Sequence, residues 1–290
     1  MDEDRAMTTV PLADPSTGPF APAESAAVQV AAAMGPDVRS AAIGTATPAE
    51  DHRRVIAIDG PAAAGKTTVA GVLADRVGAI LFDTGTLYRA VTRAVINEGV
   101  AVDDEEAVTA LARRHHIDIS PPSRDDGRRF DVLLDGKDVT WAIRDPDVTR
   151  LVSPVSEHPG VRAALLPVQR RIAGSGPVVM VGRDIGTTVV PDAGVKIFLD
   201  ASAPERARRR HAEQLLRGDP SPYDRVLADL IARDAHDANR SASPLRRAGD
   251  AIGVLTDHRT VADVVAEIEG IVRSAWSRFD AEDAASVAVR

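Results

Sequence analysis

Residues 56–70 read IAIDGPAAAGKTTVA, and this stretch decides the fold. The run VIAI (55–58) is short, apolar and β-branched, the pattern of a buried strand. From Lys66 to Arg76, Val69, Val72 and Leu73 fall at helical spacing. Between them, Gly60-Pro61-Ala62-Ala63-Ala64-Gly65-Lys66-Thr67 satisfies G-x-x-x-x-G-K-[ST], in the strand–loop–helix setting a phosphate-binding loop requires. The glycines let the main chain wrap until successive N–H groups converge on an anion. Lys66 then reaches the β- and γ-oxygens of a nucleoside triphosphate, and the Thr67 hydroxyl can hold Mg²⁺. Lys66 is one of only three lysines in the chain, with Lys137 and Lys196.

Outward from the loop the alternation continues. AILF (79–82), VVMV (178–181), VKIFL (195–199) and AIGVL (251–255) read as further strands. Helices are expected through Tyr88, Val91 and Val95, and at about 160–173, 203–217, 222–237 and 260–277. Apolar strands alternating with amphipathic helices predict an α/β fold, a parallel sheet flanked by helices. HIDIS (116–120) and FDVLLDGKDVT (130–140), joined by a polar turn, predict a small antiparallel sheet inserted into that domain. Residues 1–52 are Ala/Pro-rich, with prolines at 11, 15, 19, 22, 36 and 48, and read as a disordered leader. The polar stretch 275–290 reads as a flexible tail, leaving a single folded domain at 53–274.

The chain has 290 residues, 44% apolar and 27% charged, enough for such a core. Cysteine is absent, which excludes disulfides, thiolate zinc sites, iron–sulfur clusters and cysteine nucleophiles, and fits a reducing cytoplasm. A net charge of −8 argues against a nucleic acid polymer as partner. No apolar run approaches the roughly 18 residues of a membrane span, and the acidic start MDEDRAMTTV is unlike a secretory signal. Arginine carries nearly all the positive charge. That reflects either codon usage or many guanidinium forks facing phosphates, and position decides between them.

Three further clusters follow the loop. Asp83-Thr84-Gly85-Thr86-Leu87-Tyr88-Arg89 and Gly182-Arg183-Asp184-Ile185-Gly186-Thr187 each end a strand, where open α/β sheets bind ligands. Arg233-Asp234-x-x-Asp237-x-Asn239-Arg240 lies on a late helix and its exit. A GTPase would carry an N/T-K-x-D motif, which is absent, and no carboxylate poised for a motor ATPase is evident. A small-molecule kinase needs a second anion-binding surface, and that is where these arginines fall.

The runs IAIDGPAAAGKTTVA, LFDTGTLYRAVT, VGRDIGTTVVPDAGVKIFLDASAPERARRR and RDAHDANRSASPL together resemble the bacterial cytidylate kinases, of the nucleoside monophosphate kinase group of P-loop kinases. The resemblance spans about residues 54–273 and implies a monomer that transfers the ATP γ-phosphoryl group to CMP or dCMP with Mg²⁺. It implies an acceptor-binding insertion at 115–175 and a lid at 202–240. ATP would lie on Gly60, Pro61, Ala62, Ala63, Ala64, Gly65, Lys66, Thr67 and Thr68, with Thr67 toward the metal. The acceptor would meet Thr84, Arg89, Ser153, Arg162, Arg183, Asp184, Arg233, Asp237 and Arg240. Of these, Arg89, Arg183 and Arg240 would grip the phosphate, and Lys66, Arg183 and Arg240 would act in catalysis. Ser153 and Arg162 would bond cytosine O2 and N3, Asp184 would accept from N4, and Arg233 and Asp237 would meet the ribose.

Two departures stand out. The residue before the Gly-Arg-Asp run is often acidic in relatives and is Val181 here, so metal binding would fall to Thr67, the substrate phosphates and waters, with Asp59 or Asp184 as the candidate carboxylates. The loop carries alanines at 62–64 where relatives often have Ser or Gly, although its N–H groups survive. Some of Arg206, Arg208, Arg209 and Arg210 are expected to close on the ATP phosphates. His115, His116 and His211 show no ligand spacing and read as surface residues.

Overall fold

The computed structural model describes residues 52–288 apart from Pro121, Arg217 and Ser241. The expected leader lies outside the described residues, save His52. In chain order the strands are β1 (Val55–Asp59), β2 (Ile80–Asp83), β3 (Ile117–Ser120), β4 (Asp131–Leu134), β5 (Lys137–Asp138), β6 (Val178–Gly182), β7 (Val195–Asp200) and β8 (Ile252–Leu255). The helices are α1 (Lys66–Val77), α2 (Gly85–Glu98), α3 (Glu105–Arg114), α4 (Pro146–Glu157), α5 (Pro159–Ala173), α6 (Ala203–Leu216), α7 (Tyr223–Asn239) and α8 (Val261–Ala288).

Five strands form a parallel sheet in the order β2-β6-β1-β7-β8. Their apolar runs are buried on both faces, as side-chain alternation requires of a covered sheet. Val55, Ala57, Phe82, Val178 and Met180 face one core with α2, α3 and α5. Ile56, Ile58, Val179, Val181, Ile197 and Leu199 face the other, against α1 and α8. The register sets Asp59 opposite Gly182 and Asp83 opposite Val181, so the loop and two motif-bearing strand ends emerge together.

The antiparallel insertion is as expected, in the order β3-β4-β5. Inside it Arg128, almost wholly enclosed, gathers Asp126, Asp131 and Asp138 at 2.7–2.8 Å. Two helices were not anticipated. Asp104 caps α3 by accepting from Ala107 N at 3.0 Å. α4 begins with Pro146 at its first position, contains Pro154, and breaks from α5 at His158. The expected fraying from Ala275 is not what the structure has. α8 runs on to Ala288, with Ala275 buried and Trp276 and Phe279 packed on the second core. Arg54 lies over the Trp276 ring at 5.0 Å, and Arg53 bonds Asp283 at 2.8 Å.

His115 is likewise more than a loose surface group. It links Asp135 and Glu98 (2.7 Å to the latter), tying the end of α2 to the β4–β5 turn.

Candidate active site

At the carboxyl ends of the parallel strands lies a cavity of about 520 Å³, walled by the phosphate-binding loop, α2, α4, α6 and α7. Eight basic side chains line it (Lys66, Arg89, Arg162, Arg183, Arg209, Arg210, Arg233, Arg240) against four acidic ones (Asp83, Asp184, Asp237, Glu213). A surplus of positive charge in a concave site focuses potential on anions.

On the donor side Gly60 has φ +151°, and a Cβ there would stand 2.0 Å from the Leu199 carbonyl oxygen, so only glycine fits. Gly65 (φ +89°) turns the chain into α1. Ala63 holds the left-handed region at φ 59°, a conformation that normally favours glycine. Ala62, Ala63, Gly65, Lys66, Thr67 and Thr68 line the cavity. Pro61 and Ala64 shape the loop from behind. The Pro61 carbonyl accepts from Lys66 Nζ at 2.7 Å, and Ala64 is fully buried. Burial, helped by the neighbouring charge of Arg183, holds the Lys66 ammonium well below its ordinary titration range. An anion arriving beside it would restore the charge.

The carboxylate that reaches Thr67 is Asp83, at the end of β2, a residue present in the quoted motif but given no role there. Thr67 Oγ1 donates to Asp83 Oδ2 at 2.9 Å, while Asp83 Oδ1 accepts from Gly85 N at 3.0 Å. Asp59 is otherwise engaged. Its two oxygens accept from the N–H groups of Ile185 and Gly186, both at 2.8 Å. Burial raises its titration to about 6 against those hydrogen bonds. Asp184 pairs with Arg162. Asp59 and Asp184, the carboxylates expected to take the part of an acid at position 181, are thus both engaged elsewhere, whereas Asp83 stands beside Thr67. A hydroxyl and a carboxylate side by side at the loop are hard oxygen donors of the kind Mg²⁺ takes.

On the opposite wall, Asp59 orients the turn that carries Asp184. Arg162 donates to Asp184 and to the Ser156 carbonyl (3.1 Å), and its guanidinium lies 5.3 Å from the Tyr88 ring. Ser153 and Arg162, nine residues apart, stand on different helices, α4 and α5, and both line the cavity. Thr84 Oγ1 donates to the Val181 carbonyl at 2.9 Å. Arg89 donates to Thr149 Oγ1 (3.0 Å) and to the Ile143 carbonyl (3.2 Å). Asp237, buried, accepts from Arg183 Nε at 3.1 Å and lies 3.7 Å from Arg240 NH1, which spaces two guanidinium groups.

Arg233 is the exception. It makes no hydrogen bond or salt bridge among the described residues, and its buried Nε has no partner. Burial, with Arg183 close by, lowers its titration to about 10. Arg240 NH2 and Arg162 Nε are also buried and unpartnered. Unsatisfied buried donors of charged groups are costly in an isolated protein, and here they converge on one cavity.

The arginine run on α6 divides. Arg209 and Arg210 line the cavity, Arg209 donating to Thr256 and Arg210 to Glu213. Arg208 is exposed and pairs with Glu205. Arg206 is buried away from the cavity, held by Ala201, Ala62 and Asp234, so the expectation of a phosphate contact does not extend to it. Thr149, Val152 and Ser156 also line the cavity at one-turn spacing on α4, a helix whose prolines conceal it in the sequence.

The profile of the cytidylate kinase family matches residues 56–274. A cytidylate kinase of Roseiflexus castenholzii is 48% identical over 231 residues, covering 79% of this chain and 97% of the relative. One from a Geobacillus species is 46% identical, covering 75% and 95%. Another, from Herpetosiphon aurantiacus, is also 46% identical, covering 75% and 93%. With the loop, the strand-end motifs and the arginine-lined cavity in one place, the chain belongs to the cytidylate kinase family.

Proposed function

We propose that the protein transfers the γ-phosphoryl group of ATP to CMP and dCMP, giving the nucleoside diphosphates and ADP. The carrying observation is Arg233, a half-buried guanidinium whose enclosed Nε has no partner among the described residues, close enough to Lys66 for its charge to disfavour the lysine's own. Two cationic centres that disfavour each other become compatible when anions lie on both, which is the situation of a donor and an acceptor phosphate meeting in line.

Lys66 and the loop N–H groups take the donor phosphates. Thr67 and Asp83 would hold Mg²⁺, which would offset the charge of the donor phosphates. Arg183 and Arg240, spaced by Asp237, take the acceptor phosphate with Arg89, and Arg233, which the resemblance sets at the ribose, is read here as reaching that phosphate as well, because its Nε lacks a partner and its charge bears on Lys66. No general base is required, because that phosphate has its second pKa near 6 and is largely a dianion at neutral pH. Arg162 and Asp184 offer a donor beside an acceptor, complementary to cytosine N3 and N4; uracil, with an oxygen in place of the amino group, meets Asp184 with no donor. Val181 does not weigh against turnover, since the carboxylate beside Thr67 comes from Asp83.

A coupled assay with ATP against CMP, dCMP, UMP, AMP and shikimate tests the reading. CMP and dCMP are expected to give the highest kcat/KM. Faster turnover of UMP or shikimate, or no turnover at all, would overturn it.

A further inference from the structure

We propose that Arg206 and Asp234 form a positioning pair that ties the phosphate-binding loop to the acceptor-facing helix, so that filling either substrate site sharpens the other. The proposal rests on the reading above in which Arg233 and Asp237 face the acceptor. Arg206 is only 5% exposed and lines no part of the cavity. Its guanidinium joins three segments: Nε donates to the Ala201 carbonyl just after β7 (2.9 Å), NH1 donates to the Ala62 carbonyl in the loop (3.2 Å), and NH2 forms an ion pair with Asp234 Oδ2 on α7 (2.6 Å). The other oxygen, Asp234 Oδ1, is buried without a partner, so Arg206 is the group that holds this carboxylate.

Asp234 directly follows Arg233 and precedes Asp237 by three residues, nearly one helical turn. Around the pair, Ala62 packs with Ala207, Val226 and Leu230, and Ala63 joins them, so the loop's alanines seat α6 and α7 on the donor site. Removing either partner of a buried ion pair leaves an uncompensated charge. The loop and α7 therefore move as one body for as long as the pair is intact. A displacement of the Ala62 peptide, as loop N–H groups engage phosphates, is passed to the turn of α7 that carries Arg233. Coupling of this kind is reciprocal by thermodynamic necessity.

The test is calorimetric titration of the full chain with CMP, with and without a non-hydrolysable ATP analogue and Mg²⁺. In the unaltered protein the analogue is expected to tighten CMP binding by about 5- to 50-fold. Asp234→Asn, Arg206→Gln and the double variant should each bring that factor to within about 2-fold of one, because each cuts the same link. CMP should lose its effect on the analogue equally, while CMP affinity without analogue changes by less than about 3-fold. A factor in Asp234→Asn equal to that of the unaltered protein, or no factor in the unaltered protein, overturns the proposal. Asp234→Asn preserves side-chain shape and decides alone if Arg206→Gln does not fold; Arg206→Lys, which keeps the charge, decides if neither does. Arg233→Gln separates the two levels. If it leaves CMP binding untouched, the acceptor reading fails; if it weakens CMP while Asp234→Asn keeps the coupling, only the linkage fails.

Discussion

Replacing Arg233 by methionine is expected to stabilise the isolated protein and disable it as an enzyme. The Arg233 guanidinium is half-buried, its Nε has no partner, and it titrates at about 10, well below the ordinary arginine range, first through burial and then through Arg183. At 1.36 kcal/mol per tenfold change in acidity, that difference is about 3 kcal/mol for a fully enclosed group. Solvent reaching the head group reduces it to about 1–2 kcal/mol. For a base whose folded-state titration is lowered, the full penalty is present below pH of about 10 and is lost only as pH rises from there toward the unfolded-state value. The gain should therefore be flat from pH 6 to 9. Methionine keeps an unbranched stem for packing, so a rise in Tm of about 3–6 °C is expected by scanning calorimetry. Loss of charge-assisted bonds to a phosphate dianion, worth about 2–4 kcal/mol, should lower kcat/KM for CMP by about 30- to 1000-fold. Saturating CMP should raise the Tm of the unaltered protein and barely move that of the variant. A variant with a lower Tm and intact kcat/KM would refute the reasoning, since the charge would then be serving the fold and not an incoming anion.

Other substitutions separate the roles on the two walls. Lys66→Ala should lower kcat by about 1000-fold or more while the far-ultraviolet spectrum and Tm persist, and near-normal turnover would remove its assigned role. Asp83→Asn, by weakening a hard oxygen beside Thr67, should raise the Mg²⁺ concentration for half-maximal rate by about 10-fold; an unchanged Mg²⁺ titration would clear Asp83 of that part. Asp184→Asn replaces an acceptor with a group that can also donate, so the ratio of kcat/KM for CMP over UMP should narrow by about 10-fold or more, and a constant ratio counts against it. His115 tests the insertion: burial pulls its titration down, but hydrogen bonds to Asp135 and Glu98 outweigh this and raise it above 6.5. Its contribution is then fully present below pH of about 6.5 and lost as pH rises through the folded value. Urea denaturation of His115→Gln should show a larger deficit at pH 6 than at pH 9; equal deficits would exclude the charged bridge.

What could be read from the sequence, and what could not, follows from how local each determinant is. The loop and the parallel strands were legible because their signals, a glycine pattern and short apolar runs, sit within a few residues of the structures they dictate. α3 carried its cues too, an Asp104 cap, Glu105 and Glu106 in the first turn and Arg113 and Arg114 in the last, but at ten residues it reads equally as a polar connection. α4 was masked by Pro146 and Pro154, which read as breakers although one begins the helix and the other is tolerated within it. The end of α8 was misread because Trp276 and Phe279 are interspersed with charges whose partners, Arg53 and Arg54, lie more than 200 residues earlier.

The same reasoning explains which site residues stayed hidden. Asp83 reaches Thr67 only because β2 and the loop leave the sheet at the same end, a consequence of strand order that no spacing reveals. The basic run on α6 makes the point most sharply. At about 100° per residue, positions 206, 208, 209 and 210 point in different directions, so they cannot all face one ligand. The neighbouring elements then assign each one: Arg206 to the interior between loop and α7, Arg208 to solvent, Arg209 and Arg210 to the cavity. A charge cluster in a helical sequence thus states how many guanidinium groups are present, and only the packing around the helix determines how many of them can meet a phosphate.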